Sequence, residues 1–286
     1  MTFPLFAPAK LNLYLHVTGK RGDGYHLLDS LVAFADIGDQ ITVSSGHSLS
    51  LAITGPFANG FAALDPAQNL VWRAAEMLAR ELKRKPEAQI VLRKNLPIAS
   101  GIGGGSSDAA AALKALDTLW QGGLGKAGLS RLARNLGADV PVCVAAKTSW
   151  LGGIGEAVSP APKLPNSCLV LVNPNKALPT PAVFKTRRGP YAAPARFTRA
   201  PSDTAGLAAL LRERGNGLTD AALALMPEIG EVLARLEACK GAVLARMSGS
   251  GATCFALFDN RVEANAAARR LKSEKPGWWV ASGKLL

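Results

Sequence analysis

The sequence predicts a two-part protein of mixed strands and helices. Three observations carry this: strict alternation over residues 10–17, helical character over 69–82 and 109–119, and a change of composition near Gly155.

Over residues 10–17, Leu11, Leu13, Leu15 and Val17 fall on one side and Lys10, Asn12, Tyr14 and His16 on the other. A period of two is that of a strand with one face in a core. For Tyr14 and His16 a solvated outer face explains the pattern at least as well as function does. Lys10, just after Pro8 at the strand entrance, stays open between the two readings. Residues 18–24 carry three glycines and form a turn that delivers Tyr25 and His26. Apolar runs at 27–35, 41–44 and 49–54, separated by turn residues such as Gly38-Asp39, fit an antiparallel sheet. The spacing of Leu70, Ala74, Met77, Leu78 and Leu82 predicts a helix over 69–82, and residues 88–92 read as a strand.

The stretch Pro97-Ile98-Ala99-Ser100-Gly101-Ile102-Gly103-Gly104-Gly105-Ser106-Ser107-Asp108 then opens into an alanine-rich run. Its four glycines within five positions let a backbone approach a ligand and adopt positive φ. Ser106, Ser107 and Asp108 are good N-cap types and the alanines strong helix formers, so a helix is expected to begin here. The free N–H groups and positive dipole end of such a helix favour an anion, and a polyphosphate suits them. Neither familiar template applies: no lysine follows Gly105 as a Walker loop requires, and Ser106 stands where a dinucleotide fingerprint started at Gly101 needs glycine. A flexible linker would have no reason to join a strand to a long helix.

Beyond it, Leu129, Leu132, Ala133 and Leu136 mark an amphipathic helix stopped at Gly137, which puts Asp139 on a turn before the apolar run 142–145. An aspartate in a turn is ordinarily a local hydrogen-bonding residue. Residues 157–202 contain no acidic residue and half of the 18 prolines, so a boundary is expected near Gly155, between parts 1–155 and 156–286. In the second part, 168–172 reads as a strand and Thr180 as the N-cap of a short helix. Residues 186–201 read as an exposed basic loop, 218–238 as one or two helices broken at Pro227, 243–245 and 254–258 as strands, 262–271 as a helix and 278–281 as a last strand. Between two of these strands lies Met247-Ser248-Gly249-Ser250-Gly251-Ala252-Thr253, longer than a hairpin turn needs and expected to face a ligand.

At 286 residues the chain can bury a large core, and its net charge of +12 favours polyanionic partners. The N-terminal residues lack the pattern of a signal peptide and no apolar run approaches 18 residues, so the expected location is the cytoplasm, away from membranes. Cys143, Cys168, Cys239 and Cys254 have no C-x-x-C spacing and are expected as buried free thiols; His16, His26 and His47 form no metal motif. An RNA-binding module would suit the charge, but the basic residues are dispersed and no RNP-type or KH-type motif is present, so nucleic acid is not the expected partner.

The glycine loop with its helix resembles the ATP-binding signature of the GHMP kinases. Pro8-Ala9-Lys10-Leu11-Asn12-Leu13, Arg21-x-Asp23-Gly24-Tyr25-His26, Gly137-Ala138-Asp139-Val140-Pro141, Thr180-Pro181-x-x-Phe184 and Ser248-Gly249-Ser250-Gly251 extend the likeness over nearly the whole chain. It is weakest across 186–201. The resemblance implies an α+β, two-domain GHMP kinase fold: an N-terminal ATP-binding domain like ribosomal protein S5 domain 2, and a C-terminal α+β domain completing the substrate cleft. It also implies transfer of the ATP γ-phosphoryl to the 2-hydroxyl of a small cytidine diphosphate alcohol in the non-mevalonate isoprenoid route, by a monomer or homodimer. Another small-molecule kinase of the family is the alternative.

Residue by residue, the resemblance implies Lys10 and Asp139 as the catalytic groups, which overrides the local reading of Asp139. It implies ATP binding by residues 97–107 with Asn69 and Lys94. It implies substrate binding by Asn12, Tyr25, His26, Thr180 and Phe184, with the rings of Tyr25 and Phe184 enclosing the cytosine. Mg²⁺ would bridge phosphate oxygens, and Ser107 or Asp108 is the candidate to reach it, directly or through water. Ile102 stands where leucine is common in the family and Asp108 where asparagine is.

Overall fold

The computed structural model describes residues 3–61 and 65–286. The chain forms two compact units interleaved along the sequence. The first comprises Met1–Ala9, Gly38–Ile98 and Gly103–Lys147; the second comprises Lys10–Ile37, Ala99–Ile102 and Thr148–Leu286. The composition change near Gly155 falls inside the second unit.

Two long strands, β1 (Phe3–Lys20) and β2 (His26–Ser44), contribute residues to both units. The predicted turn at Gly38-Asp39 does not form, because β2 runs straight through it. A Cβ on Gly38 would overlap the Ala7 carbonyl oxygen, so this glycine serves close backbone approach within a strand.

In the first unit, β3 (Ser50–Thr54), α1 (Leu70–Glu81) and β4 (Gln89–Arg93) follow. Residues 40–44 of β2 pair antiparallel with β4, Gln40 opposite Arg93, while β3 pairs with β4 in parallel, Ser50 opposite Gln89. The expected all-antiparallel sheet is thus corrected: α1 supplies the crossover that a parallel pair needs. Asn69 caps α1 by accepting the Val71 N–H at 2.9 Å. The buried stripe of α1, Val71, Ala74, Ala75 and Leu78, packs on α2 (Gly104–Leu119), where alanines from Ala109 to Ala112 permit close approach. Helix α3 (Gly125–Ala133) ends before the predicted Leu136, and the apolar run after Asp139 is a short helix, α4 (Val140–Ala145), with Pro141 in its first turn.

In the second unit, residues 30–32 of β2 pair antiparallel with β5 (Ser149–Gly152), which pairs with β6 (Ala157–Pro160). The remaining elements are β7 (Cys168–Asn173), α5 (Thr180–Thr186), α6 (Thr204–Arg212), α7 (Thr219–Leu225), α8 (Glu228–Glu237), β8 (Ala242–Met247), β9 (Cys254–Phe258), α9 (Arg261–Glu274) and β10 (Trp279–Lys284). Their strands form an antiparallel sheet in the order β10-β7-β9-β8, with Val170 facing Ala256 on one side and Ser282 on the other. Val170, Val172, Ile229, Val232, Leu236, Phe258 and Leu271 belong to its core. Pro227 separates α7 from α8 as expected, whereas α6 was not anticipated; Asp203 caps it by accepting the Gly206 N–H at 2.7 Å. Residues 186–201 are mostly exposed, but Phe197 is buried against Trp150 with ring centroids 5.0 Å apart, which corrects the purely exposed loop.

Candidate functional site

Gly103, at φ +60°, is the N-cap of α2, so the helix begins at Gly104 and the expected caps Ser106, Ser107 and Asp108 lie within its first turns. The cap position needs a left-handed backbone that glycine adopts without strain. The first intrahelical bond runs from the Ser107 N–H to the Gly103 carbonyl at 2.9 Å. The N–H groups of Gly104, Gly105 and Ser106 therefore have no acceptor within the helix and stand at its positive end. Upstream, Pro97 is buried, Ile98 half-buried and Ala99 exposed with a left-handed backbone. The Ala99, Ser100 and Ile102 carbonyls accept the N–H groups of Leu178, Thr253 and Lys10 at 3.3, 3.0 and 2.9 Å.

The second glycine loop explains part of the first. A Cβ on Gly249 would lie 2.8 Å from the Gly101 carbonyl oxygen, and one on Gly101 would lie 2.7 Å from the Gly251 nitrogen. The backbone these glycines approach closely is thus the other loop, where the sequence suggested a ligand. Ser248, fully buried, accepts the Asn12 N–H at 3.1 Å and donates to the Gly101 carbonyl at 3.0 Å. Ser250 shares a 2.7 Å hydrogen bond with Thr180, which is the first residue of α5; the cap is Pro179, which corrects the expected capping role of Thr180.

The polar face of β1 is buried from Lys10 to Tyr14 and only partly so at His16. Lys10 and Asn12 are buried, and Tyr14 is completely so. The Lys10 ammonium donates to Asn12 Oδ1 at 3.1 Å, and the Asn12 amide donates to Ser30 Oγ at 2.8 Å. Tyr14 donates to Asp29 at 2.7 Å. Asp29 also accepts the Ala195 N–H and the Arg196 guanidinium, each at 2.8 Å, which fastens the basic loop. Burial, then the bond to Asp29, pushes the Tyr14 phenol far above its ordinary range. Burial alone would raise the Asp29 carboxyl, but the Ala195 N–H, Arg196 and Tyr14 outweigh it and hold it below the usual carboxylate range. Asp29 and Ser30 escaped the sequence reading because they sit inside an apolar run.

Lys94 is almost wholly buried and ion-pairs with Asp39 and with Asp108, the latter at 2.8 Å. Ser107 donates to the Pro8 carbonyl at 2.7 Å. The Ser107 hydroxyl directs its proton to that carbonyl and keeps its lone pairs, and Asp108 takes the buried ammonium on Oδ2 while Oδ1 has no hydrogen-bond partner, so each candidate retains an oxygen for Mg²⁺, directly or through water. Among the described residues no group of three or more His, Cys, Asp or Glu side chains could hold a metal ion.

Asp139 is half-buried at the N-cap of α4, and its carbonyl accepts the Cys143 N–H at 3.3 Å. Tyr25 is 60% exposed, while His26 stacks on Phe184 with centroids 5.2 Å apart and planes at 24°. Burial first, then the cations Lys20 and Arg187, hold His26 below the usual histidine range. In the first unit, a cavity of about 370 Å³ is lined by apolar Leu51, Ile53 and Phe61 and by polar Asn59, Asp65 and Asn69. The four cysteines are free thiols as expected, Cys168 being only partly buried. No helix among the described residues is long and apolar enough to cross a membrane.

Residues 69–147 match the family described as GHMP kinases N terminal domain, and residues 198–277 match GHMP kinases C terminal. The chain belongs to the GHMP kinase family. Within this family it is 50% identical over 285 residues to a 4-diphosphocytidyl-2-C-methyl-D-erythritol kinase of Paramagnetospirillum magneticum, covering 100% of this chain and 99% of the relative. It is 52% identical over 281 residues to the Paracoccus denitrificans protein of the same name, covering 98% and 95%. A crystal structure of 4-(cytidine 5'-diphospho)-2C-methyl-D-erythritol kinase superposes with a TM-score of 0.80 at 33% identity over 99% of both chains. Homoserine kinase from Cytophaga hutchinsonii shares the fold, with a TM-score of 0.73 at 17% identity over 99% of this chain and 95% of that one.

Proposed function

We propose that the protein transfers the γ-phosphoryl of ATP to the 2-hydroxyl of 4-diphosphocytidyl-2-C-methyl-D-erythritol. The observation that carries this reading is identity of about half over full length with curated kinases of that name.

The roles follow from the chemistry of each residue. The N–H groups at the start of α2 bind the triphosphate, as free donors at a positive helix end bind anions. The cavity beside Asn69 offers apolar walls and polar edges suited to a purine base. Phosphoryl transfer has a loose transition state, so positioning and charge stabilisation carry most of the catalysis. Asp139 orients the acceptor hydroxyl and takes its proton late. Lys10, held by Asn12, stabilises the developing negative charge in a water-poor environment. Tyr25 and Phe184 enclose the cytosine, with His26, Asn12 and Thr180 as further substrate contacts. Magnesium would neutralise phosphate charge when bound, and the Ser107 hydroxyl or Asp108 Oδ1 would hold it, directly or through water.

The test is an ADP-release assay on the purified protein with the diphosphocytidyl alcohol, homoserine and mevalonate in parallel. Turnover with the first alone supports the reading. Preference for either of the others would assign a different acceptor to this family member.

A further inference from the structure

The two ends of the glycine loop meet one buried ion network that the proposed mechanism does not use. On the entry side, Asp39 Oδ1 accepts the backbone N–H groups of Asn95 at 2.5 Å and Leu96 at 2.8 Å, and the Asn95 amide donates to the Gly38 carbonyl at 3.1 Å. On the exit side, Asp108 lies in the second turn of α2. Lys94 joins the two: its ammonium donates to Asp39 Oδ2 and, at 2.8 Å, to Asp108 Oδ2. A Cβ on Gly104 would stand only 3.0 Å from that ammonium, so the charge sits directly against the first residue of α2. The Lys94 side chain is 3% exposed, and those of Asp39 and Asp108 are 0% and 3% exposed.

We propose that Asp39 and Lys94 form a clamp that fixes the entry and exit of the glycine loop against each other. Lys94 is then a positioning residue: it aims the backbone N–H groups at the phosphates and makes no contact with the nucleotide. A buried ammonium paired with two buried carboxylates has its charge spent inside the protein. The network is unbalanced, with two carboxylates to one ammonium and Asp108 Oδ1 buried without a hydrogen-bond partner. Removing the lysine leaves two carboxylates facing each other in a dry site, and neutralising one of them relieves that repulsion. Direct recognition of a ligand by Lys94 could not be regained in this way.

The nucleotide consequence rests on the kinase reading; the clamp itself does not. The test compares full-length K94M and K94M/D108N with wild type by amide hydrogen exchange over residues 97–108 without nucleotide, and by affinity for ATP, ADP and adenosine. K94M is expected to exchange about tenfold faster or more across the loop. It should bind ATP and ADP about tenfold more weakly while keeping adenosine affinity within about twofold, since only the phosphate donors are misaligned. Adding D108N should recover at least half of both losses on a logarithmic scale. Unchanged loop exchange in K94M, or a parallel loss of adenosine affinity, overturns the clamp. Should K94M fail to fold, D39N retains an acceptor for the Asn95 and Leu96 N–H groups and reads the same quantities, with faster loop exchange expected and unchanged exchange overturning it. Wild type without ATP affinity would overturn the kinase reading alone, and the exchange data would still decide the clamp.

Discussion

Asn12 Oδ1 accepts the Lys10 ammonium at 3.1 Å from two positions along the same face of β1. The Asn12 amide is itself held by Ser30, whose hydroxyl donates to the Tyr14 carbonyl at 2.5 Å. Asn12 therefore orients the lysine, in addition to the substrate contact proposed for it. Asn12→Leu is expected to lower kcat by about tenfold to a hundredfold, the scale of a small misplacement of a catalytic group. The KM for the alcohol should rise as well, because the substrate contact proposed for Asn12 is lost in ground and transition state alike. Steady-state kinetics separates the two roles: a raised KM at constant kcat would contradict the orienting role.

Asp139 presents its carboxylate from the N-cap of α4 and makes no side-chain capping bond there. General-base catalysis contributes typically about 10²–10⁴-fold. Asp139→Asn should lower kcat by at least about a hundredfold while ATP affinity persists. Turnover within about tenfold of wild type would remove Asp139 from the base role.

Tyr25 is a large aromatic ring left 60% exposed beside the His26–Phe184 stack. Stacking on a base is worth about 1–3 kcal/mol, so Tyr25→Ala should raise the KM for the cytidine substrate by about fivefold or more and leave the KM for ATP alone. An unchanged cytidine-substrate KM would contradict the stacking role.

Asp29 links β2 to the basic loop and has a depressed carboxyl pKa. Since its folded value lies below the unfolded value near 3.8, its stabilisation is complete above that value and is lost as pH falls through the folded value. Urea unfolding should find Asp29→Asn about 1–3 kcal/mol less stable than wild type at pH 7. That gap should narrow progressively below pH 3.8. A gap independent of pH would show that charge at Asp29 is not what fastens the loop.

Much of the fold was legible because periodicity reports core-facing positions directly. The strand around Lys10, the helix that follows Asn69 and the break at Pro227 all stand where spacing put them. The failures share one cause: a polar or glycine residue looks the same in sequence whether it meets water or a buried partner. Tyr14 seemed solvated but donates to buried Asp29, and Gly38-Asp39 seemed a turn but lies within β2 as a close backbone approach and an ion-network hub. The same holds for Ser248, a buried brace between Asn12 and Gly101. The glycine loop was legible as the start of a helix, yet the cap is Gly103 with its left-handed backbone, where the sequence pointed to Ser106, Ser107 or Asp108.

Phosphoryl transfer to one defined hydroxyl is read by phosphorus-31 NMR of the reaction of wild-type protein with ATP and the diphosphocytidyl alcohol. One new phosphomonoester resonance on the 2-hydroxyl should grow in step with ADP while the diphosphate resonances of the acceptor persist. ADP formation without that resonance, or a phosphate placed on another hydroxyl, would contradict it.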